Sequence, residues 1–147
     1  MSIEELKLKI LTAGDMEDLY AWRNHPLVRK KSFHSEPLSW EEHQRWFKRK
    51  SKSPDTTIYI GYYQGRKIGM IRFDDGAEGI KVSVMMNPDF LGRNLGSRLI
   101  QLGVKKIMEI RAGKIITAEI KKSNIASIKA FKRAGFKMSH LTYTLVS

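Results

Sequence analysis

No cysteine occurs in the 147 residues of this chain. That absence excludes disulfides, thiolate zinc sites, iron–sulfur clusters and a cysteine nucleophile together. Long apolar runs are missing too: nothing approaches the roughly 18 consecutive apolar residues of a membrane-spanning helix. The opening segment, MSIEELKLKI, alternates charged and aliphatic residues and lacks the continuous apolar stretch of a signal peptide. We therefore expect a soluble, cytoplasmic protein with no membrane partner and no bound metal. Acidic residues are scarce, 15 Asp+Glu against 27 Lys+Arg, for a formal net charge of +12. Repeats, low-complexity segments and linkers are absent, so residues 1–147 read as one domain, within the common size of about 100–200 residues.

What is present is ordinary globular material, 41% hydrophobic and 29% charged. A chain of about 150 residues hides roughly 70% of its unfolded surface, enough for a core without covalent staples. The excess of positive charge favours an anionic partner. Basic residues sit in short clusters such as Arg29-Lys30-Lys31, Lys48-Arg49-Lys50 and Lys132-Arg133, and solvated helix faces and strand edges account for most of them. No zinc finger, basic zipper or aromatic-rich single-strand motif is present, so nucleic acid is not the expected partner. Phosphorylated small molecules would answer the same field.

Leu6, Leu8 and Ile10 alternate with Lys7 and Lys9 over Leu6–Leu11, the pattern of a half-buried strand. Thr12 and Asp15 then stand at capping-box spacing before a helix that carries Met16, Leu19 and Tyr20 on one face. That helix is expected to run to about Arg23 and to end at Pro26. A polar, basic connection follows from His25 to Pro37. Ser39-x-x-Glu42 opens a second helix with Trp40, His43 and Phe47 along one side. Thr57–Tyr63 and Lys67–Phe73 read as a hairpin about Gln64-Gly65, and Asp74-Asp75-Gly76 as the next turn. Ile80, Val82, Val84 and Met86 define a third central strand. Apolar residues at helical spacing fill Gly96–Arg111. Ile115–Ile120 reads as a strand, Ser123–Ala134 as a helix stopped by Gly135, and Lys137–Val146 as a last strand able to pair across a homodimer. The expected class is α/β (α+β), a mixed sheet with helices on its faces in the order β-α-α-β-β-β-α-β-α-β.

The segment between the third central strand and the long helix reads Val84-Met-Met-Asn-Pro-Asp-Phe-Leu-Gly-Arg-Asn-Leu-Gly-Ser97. A strand, a short loop with Gly92 and Gly96, and a helix start can offer backbone N–H groups and a positive helix end to a phosphate. Glycines in a loop also serve as plain turn residues. The segment is neither a Walker A loop nor a dinucleotide-binding GxGxxG fingerprint.

Together with Ile116-Thr-Ala-Glu-Ile-Lys-Lys-Ser-Asn-Ile-Ala-Ser-Ile-Lys-Ala-Phe-Lys-Arg-Ala-Gly-Phe136, this segment resembles the GNAT superfamily of N-acetyltransferases, and the resemblance extends over nearly the whole chain. It implies the GNAT fold, acetyl-CoA as cosubstrate and an amine as acceptor. Leu91, Gly92, Arg93, Asn94, Leu95, Gly96 and Ser97 would form the pyrophosphate loop, with backbone amides making the contacts. Val84, Met85 and Met86 would pair with the pantetheine arm, and an N–H at Met86 would face the thioester oxygen in the oxyanion role. Asn124 matches the family asparagine beside pantetheine, Ser127 lies one turn on, and Phe131 occupies the position of the usual tyrosine acid. Leu91 and Asn94 depart from the family pattern, and Asn tolerates the left-handed backbone that a glycine would supply there.

The resemblance implies direct acyl transfer in a ternary complex, and a protonated amine needs a base before it attacks. Glu119 matches the glutamate assigned that role in ribosomal-protein acetyltransferases; it reads equally as a solvated carboxylate paired with Lys121 or Lys122. Glu78 is the reserve candidate. With Phe131 unable to give a proton, water or Tyr143 would protonate the thiolate, or no dedicated acid is needed.

Trp22-Arg-Asn24, followed at a distance by Glu42-His43-Gln44-Arg45-Trp46-Phe47, resembles acetyltransferases of the pseudaminic acid pathway, which act on amino sugars carried by nucleotides. The acceptor pocket implied comprises Arg23, Asn24, Arg29, His43, Trp46 and Phe47. Arginines suit bidentate phosphate contacts, and an aromatic face suits a base or sugar. The same aromatics and His43 read as core residues at helical spacing. A protein N-terminal or ribosomal-protein amine is the second acceptor class. A non-catalytic acyl-CoA- or nucleic-acid-binding domain on this fold is the alternative of another kind.

Overall fold

The computed structural model describes residues 5–138. Its centre is an antiparallel meander of three strands, β2 (Thr56–Tyr63), β3 (Arg66–Gly76) and β4 (Gly79–Met86), rich in β-branched and aromatic residues. β1 (Lys7–Ile10) joins the outer edge of β2, and β5 (Ile116–Thr117) pairs parallel to β4, giving one sheet in the order β1-β2-β3-β4-β5. The helices are α1 (Met16–Asn24), α2 (Pro26–Lys31), α3 (Trp40–Lys52), α4 (Leu95–Ile110) and α5 (Ile125–Arg133). This is the mixed, helix-flanked sheet that the sequence led us to expect.

Strand alternation feeds two cores. On one face Leu19, Trp22 and Phe47 of α1 and α3 cover Ile58, Ile60 and Met70. On the other, Leu95, Leu99, Ile100 and Ile107 of α4, with Phe131 of α5, cover Ile71, Phe73, Ile80 and Val82. Each such side chain fully buried stabilises the fold by about 1.5–3 kcal/mol. A bulge tunes the register: Gly61 pairs with Gly69 but Tyr62 with Lys67, so Ile68 is the extra residue. The Ile68 carbonyl then accepts the Asn87 N–H at 2.8 Å, and Asn87 Nδ2 donates to the Lys67 carbonyl at 2.9 Å. These bonds fix the end of β4.

Four local expectations need correction. α1 ends before Pro26 as expected, but the stretch from His25 to Pro37 is not a plain connection, because Pro26 opens α2: at a first helical position its missing N–H is no loss. Its steric demand holds His25 extended (φ −65°, ψ 132°), which breaks α1 from α2. Asp74-Asp75-Gly76 is not a turn but the end of β3, paired with Lys81, Ile80 and Gly79, because the carboxylates have cationic partners. Asp74 meets Lys50 and Arg72, and Asp75 meets Arg111 and Lys114. The reversal falls on residues 77–78, which puts Glu78 in an exposed turn at the opposite end of β4 from Met86 and removes it as a base. Ile115–Ile120 shrinks to the two residues of β5, since the chain leaves β4 after Thr117. Finally, Ile10 is 58% exposed on the edge strand. Of Lys137–Val146 only Lys137 and Met138 are described, so that strand, the dimer it would make and Tyr143 lie outside the described residues.

Candidate active site

The parting of β4 and β5 creates the site. Ile80 donates its N–H to the Ile115 carbonyl at 2.8 Å on the β5 side. Backbone groups alternate along a strand, so Val82, Val84 and Met86 turn theirs the same way. Among the described residues no strand answers them beyond Thr117, and a cavity of about 780 Å³ opens there, reaching from the α4–α5 face of the sheet to the α1–α3 face.

On the first face the cavity ends at the start of α4. Asn87 Oδ1 accepts the Asp89 N–H at 3.0 Å, and Phe90 is buried with the guanidiniums of Arg66 and Arg93 at 4.7 and 5.1 Å from its ring. The chain then turns through two left-handed residues, Gly92 (φ +76°) and Asn94 (φ +57°). Asn94 is held there by Arg133, whose Nη1 donates to Oδ1 at 2.6 Å. The first N–H groups of a helix have no partner within it. At α4 these belong to Leu95, Gly96 and Ser97, and they border the cavity with Leu91, Gly92, Arg93 and Asn94. Lys129 and Arg133 add positive charge along the same wall. The arrangement is an anion-binding concavity.

The opposite wall of this half is α5. Asn124 caps it, Oδ1 accepting the Ser127 N–H at 3.2 Å, and both residues face the cavity. Phe131 is buried at its base. The helix closes through Gly135 (φ +98°), with the Phe136 N–H reaching the Phe131 carbonyl and the Gly135 N–H the Lys132 carbonyl. This pair of bonds is the Schellman cap. The Phe131 and Phe136 rings meet edge to face at 5.0 Å. Phe131 thus anchors the helix end, and among the described residues no tyrosine lines the cavity.

Glu119 lies just past β5 on the cavity rim, and its carboxylate meets Lys81 Nζ at 3.0 Å. Both partners are more than half exposed, so the pair adds little stability.

On the α1–α3 face, Arg23, Asn24 and Trp46 line the cavity together with Met70, Arg72 and Ser83. The Trp46 ring lies 4.9 Å from the Arg23 guanidinium and 5.6 Å from that of Arg72. Burial, and then the neighbouring Arg72 charge, lower the Arg23 pKa from its ordinary value. Asn24 uses its side chain to hold Leu38, donating to the carbonyl and accepting from the N–H, both at 2.8 Å.

Arg29, His43 and Phe47 sit away from the cavity wall. Arg29 donates to the carbonyls of Asn24 (3.0 Å) and Ser35 (3.3 Å), pinning the connection between α1 and α3. His43 is fully buried among Tyr20, Trp40, Trp46 and Phe47, and its Nε2 donates to the Met16 carbonyl at 2.8 Å. Desolvation lowers its pKa, with the nearby Arg23 charge acting the same way and the Met16 bond opposing it. Phe47 belongs to the α1–α3 core. Arg72 went unnoticed in the sequence. Its signal was a lone charge in the apolar run of residues 68–73, on the same side of the strand as Met70.

Among the described residues no group of three or more ligating side chains could hold a metal ion, and no helix is long and apolar enough to cross a membrane. The sequence matches the family model of an acetyltransferase (GNAT) domain over residues 5–137. It is 31% identical over 134 residues to an uncharacterised protein of Methanocaldococcus jannaschii, a match covering 88% of this chain and 28% of that protein. This chain therefore spans less than a third of that relative. A crystallised domain from Methanocaldococcus jannaschii is similar with a TM-score of 0.81 at 27% identity, over 92% of this chain and 90% of that one. Spermidine N-acetyltransferase from Vibrio cholerae, solved with CoA and spermine, gives a TM-score of 0.82 at 16% identity over 97% and 88% of the two chains, a likeness of fold.

Proposed function

The chain belongs to the GNAT family of acetyltransferases, and from that premise we propose that it moves the acetyl group of acetyl-CoA onto the primary amine of a nucleotide-linked amino sugar. The observation that carries the reading is the cavity itself. It joins an anion-binding helix start on one face of the sheet to an aromatic and arginine wall on the other, across the edge of β4 that has no strand partner among the described residues.

The residues present fit acetyl-CoA. The amides of Gly92 to Ser97, backed by Arg93, Lys129 and Arg133, suit the pyrophosphate and its charge. The edges of Val84 and Met86 supply peptide-like pairing for the pantetheine arm, with Asn124 and Ser127 opposite. In this reading the Met86 N–H receives the thioester oxygen as negative charge gathers on it. Glu119 takes the proton of the attacking amine, directly or through water. The new amide bond forms as the carbon–sulfur bond breaks, and since Phe131 has no proton to give, the thiolate leaves as such or takes its proton from water or another hydroxyl. Arg23 and Trp46 supply contacts of the kind that a phosphorylated sugar needs.

The test is a transfer assay with thermal-shift readout, using acetyl-CoA with UDP-linked amino sugars and, in parallel, short peptides with free N-termini. Acetyl-CoA at a hundredfold excess over its Kd should add about 2.7 kcal/mol of stability. Thiol release dependent on the nucleotide sugar supports the reading. Transfer to peptides alone moves the acceptor to protein N-termini, and no stabilisation by acetyl-CoA overturns the reading altogether.

A further inference from the structure

We propose that Arg23 and Arg72, both beside Trp46, form an oxyanion subsite that selects acceptors carrying a phosphate or carboxylate remote from the reacting amine. The inference rests on the acetyl-transfer reading and adds the chemistry of the acceptor.

The wall is short of negative charge. Asp74 answers both Arg72, through Nε at 2.8 Å, and Lys50, at 3.1 Å, while Thr56 Oγ1 occupies it at 2.8 Å. Arg72 spends Nη2 on Ser83 Oγ at 3.3 Å. Arg23 has no carboxylate partner among the described residues, and its Nη1 is buried without a hydrogen bond. Two guanidiniums line the cavity beside one indole and only Arg72 has a carboxylate partner among the described residues, so this wall carries positive charge that an oxyanion in the cavity would answer. Trp46 lines the cavity beside them and adds aromatic surface to this wall. A polyamine or other polycation would bring like charge to this wall.

Spacing narrows the ligand further. Arg72 pairs across the sheet with Ser83, three residues before Met86, where the reacting carbonyl is placed. At about 3.3 Å per residue the oxyanion and the amine lie roughly 10 Å apart along the strand. An α-amino acid, with amine and carboxylate on one carbon, is too short to reach both. An amino sugar bearing a phosphate or nucleotide spans the distance.

Two measurements test this. First, the protein saturated with CoA, so that the α4 loop is filled, is titrated with UDP and separately with glutarate, read by tryptophan fluorescence and calorimetry. We expect salt-sensitive binding of one or both that falls at least tenfold in Arg23→Gln and is partly restored in Arg23→Lys; the anion that binds identifies phosphate or carboxylate. Binding of neither anion by the wild type, or equal binding by Arg23→Gln, overturns the subsite. Second, kcat/KM is compared for glucosamine 6-phosphate, glucosamine and spermidine. The phosphorylated sugar should exceed its neutral parent at least tenfold, with spermidine lowest, and Arg23→Gln should collapse that ratio. Equal rates, or spermidine as the best acceptor, overturn the inference. Anion binding through Arg23 with no amine acetylated would instead sink the acetyl-transfer reading and leave the subsite standing.

Discussion

Arg133, in the last turn of α5, donates through Nη1 to Asn94 Oδ1 at 2.6 Å and so ties the end of one helix to the loop that starts another. Asn94 sits at φ +57°, a conformation that costs most residues about 1–2 kcal/mol and glycine almost nothing. The backbone amides of the loop are aimed by that conformation, and the side-chain bond secures it.

Replacing Asn94 separates the two effects. Asn94→Gly keeps the backbone freedom and loses the bond; Asn94→Ala loses both. We expect acetyl-CoA affinity by calorimetry to fall only a few-fold in the glycine variant and about tenfold in the alanine variant, a factor worth about 1.4 kcal/mol. Equal losses would mean that the Arg133 bond, not the backbone, shapes the loop.

Glu119→Gln removes the proposed base while keeping the size of the side chain. Transfer should slow by roughly 10²–10⁴-fold in kcat, the usual worth of a general base, with acetyl-CoA affinity changed less than twofold. Part of the rate should return at higher pH, where more of the amine is already neutral. A variant with wild-type kcat would return Glu119 to the role of a surface partner of Lys81.

His43 predicts how stability depends on pH. Burial holds its folded pKa below the ordinary 6.5, and its Nδ1 has no partner to share a proton with. Below 6.5 the unfolded chain therefore binds more protons than the folded one, so its stabilisation is complete above 6.5 and declines as pH falls toward the folded pKa. Thermal unfolding from about pH 8 to pH 5 should show Tm falling in the acid half of the range. His43→Gln, though less stable throughout, should show a shallower fall. An unchanged slope would assign the acid sensitivity to other groups.

Gly103 is the close contact between α4 and the sheet. A Cβ there would lie 2.6 Å from Ile71 Cδ1, 3.1 Å from Ile71 Cγ2 and 3.2 Å from Phe73 Cζ. Gly103→Ala should cost about 1–3 kcal/mol through overpacking, in spite of alanine's better helix propensity. At roughly 2–4 °C per kcal/mol for a chain of this size, the loss is readable as a Tm decrease of several degrees. A rise in Tm would show that Ile71 finds another rotamer without strain.

Much of the fold is written locally. Ser39 accepts the Glu42 N–H at 3.2 Å, as its spacing implied, and Gly135 stops α5 with the positive φ that glycine permits. Alternation along β2, β3 and β4 declares both sheet faces, and the helical stripe of α4 declares what covers one of them. The residues assigned to the acetyl-CoA loop, Leu91 to Ser97, lie together because they adjoin in sequence at a strand-to-helix turn. Caps, turns and periodicity act over a few residues, which is why a single sequence carries them.

The rest depends on contacts between distant segments. Nothing near Thr117 announces that the chain leaves β4 there, yet that departure opens the cavity. Arg29 and His43 looked like acceptor contacts, but their bonds to Asn24, Ser35 and Met16 give them structural work, decided by how α1, α2 and α3 meet. Arg72 joins Arg23 beside Trp46 only because β3 and the two helices pack on one face. Local backbone chemistry is set by neighbouring residues and so is legible in the chain. The charge and shape of the acceptor wall come from side chains about 50 residues apart, and only tertiary packing assembles them.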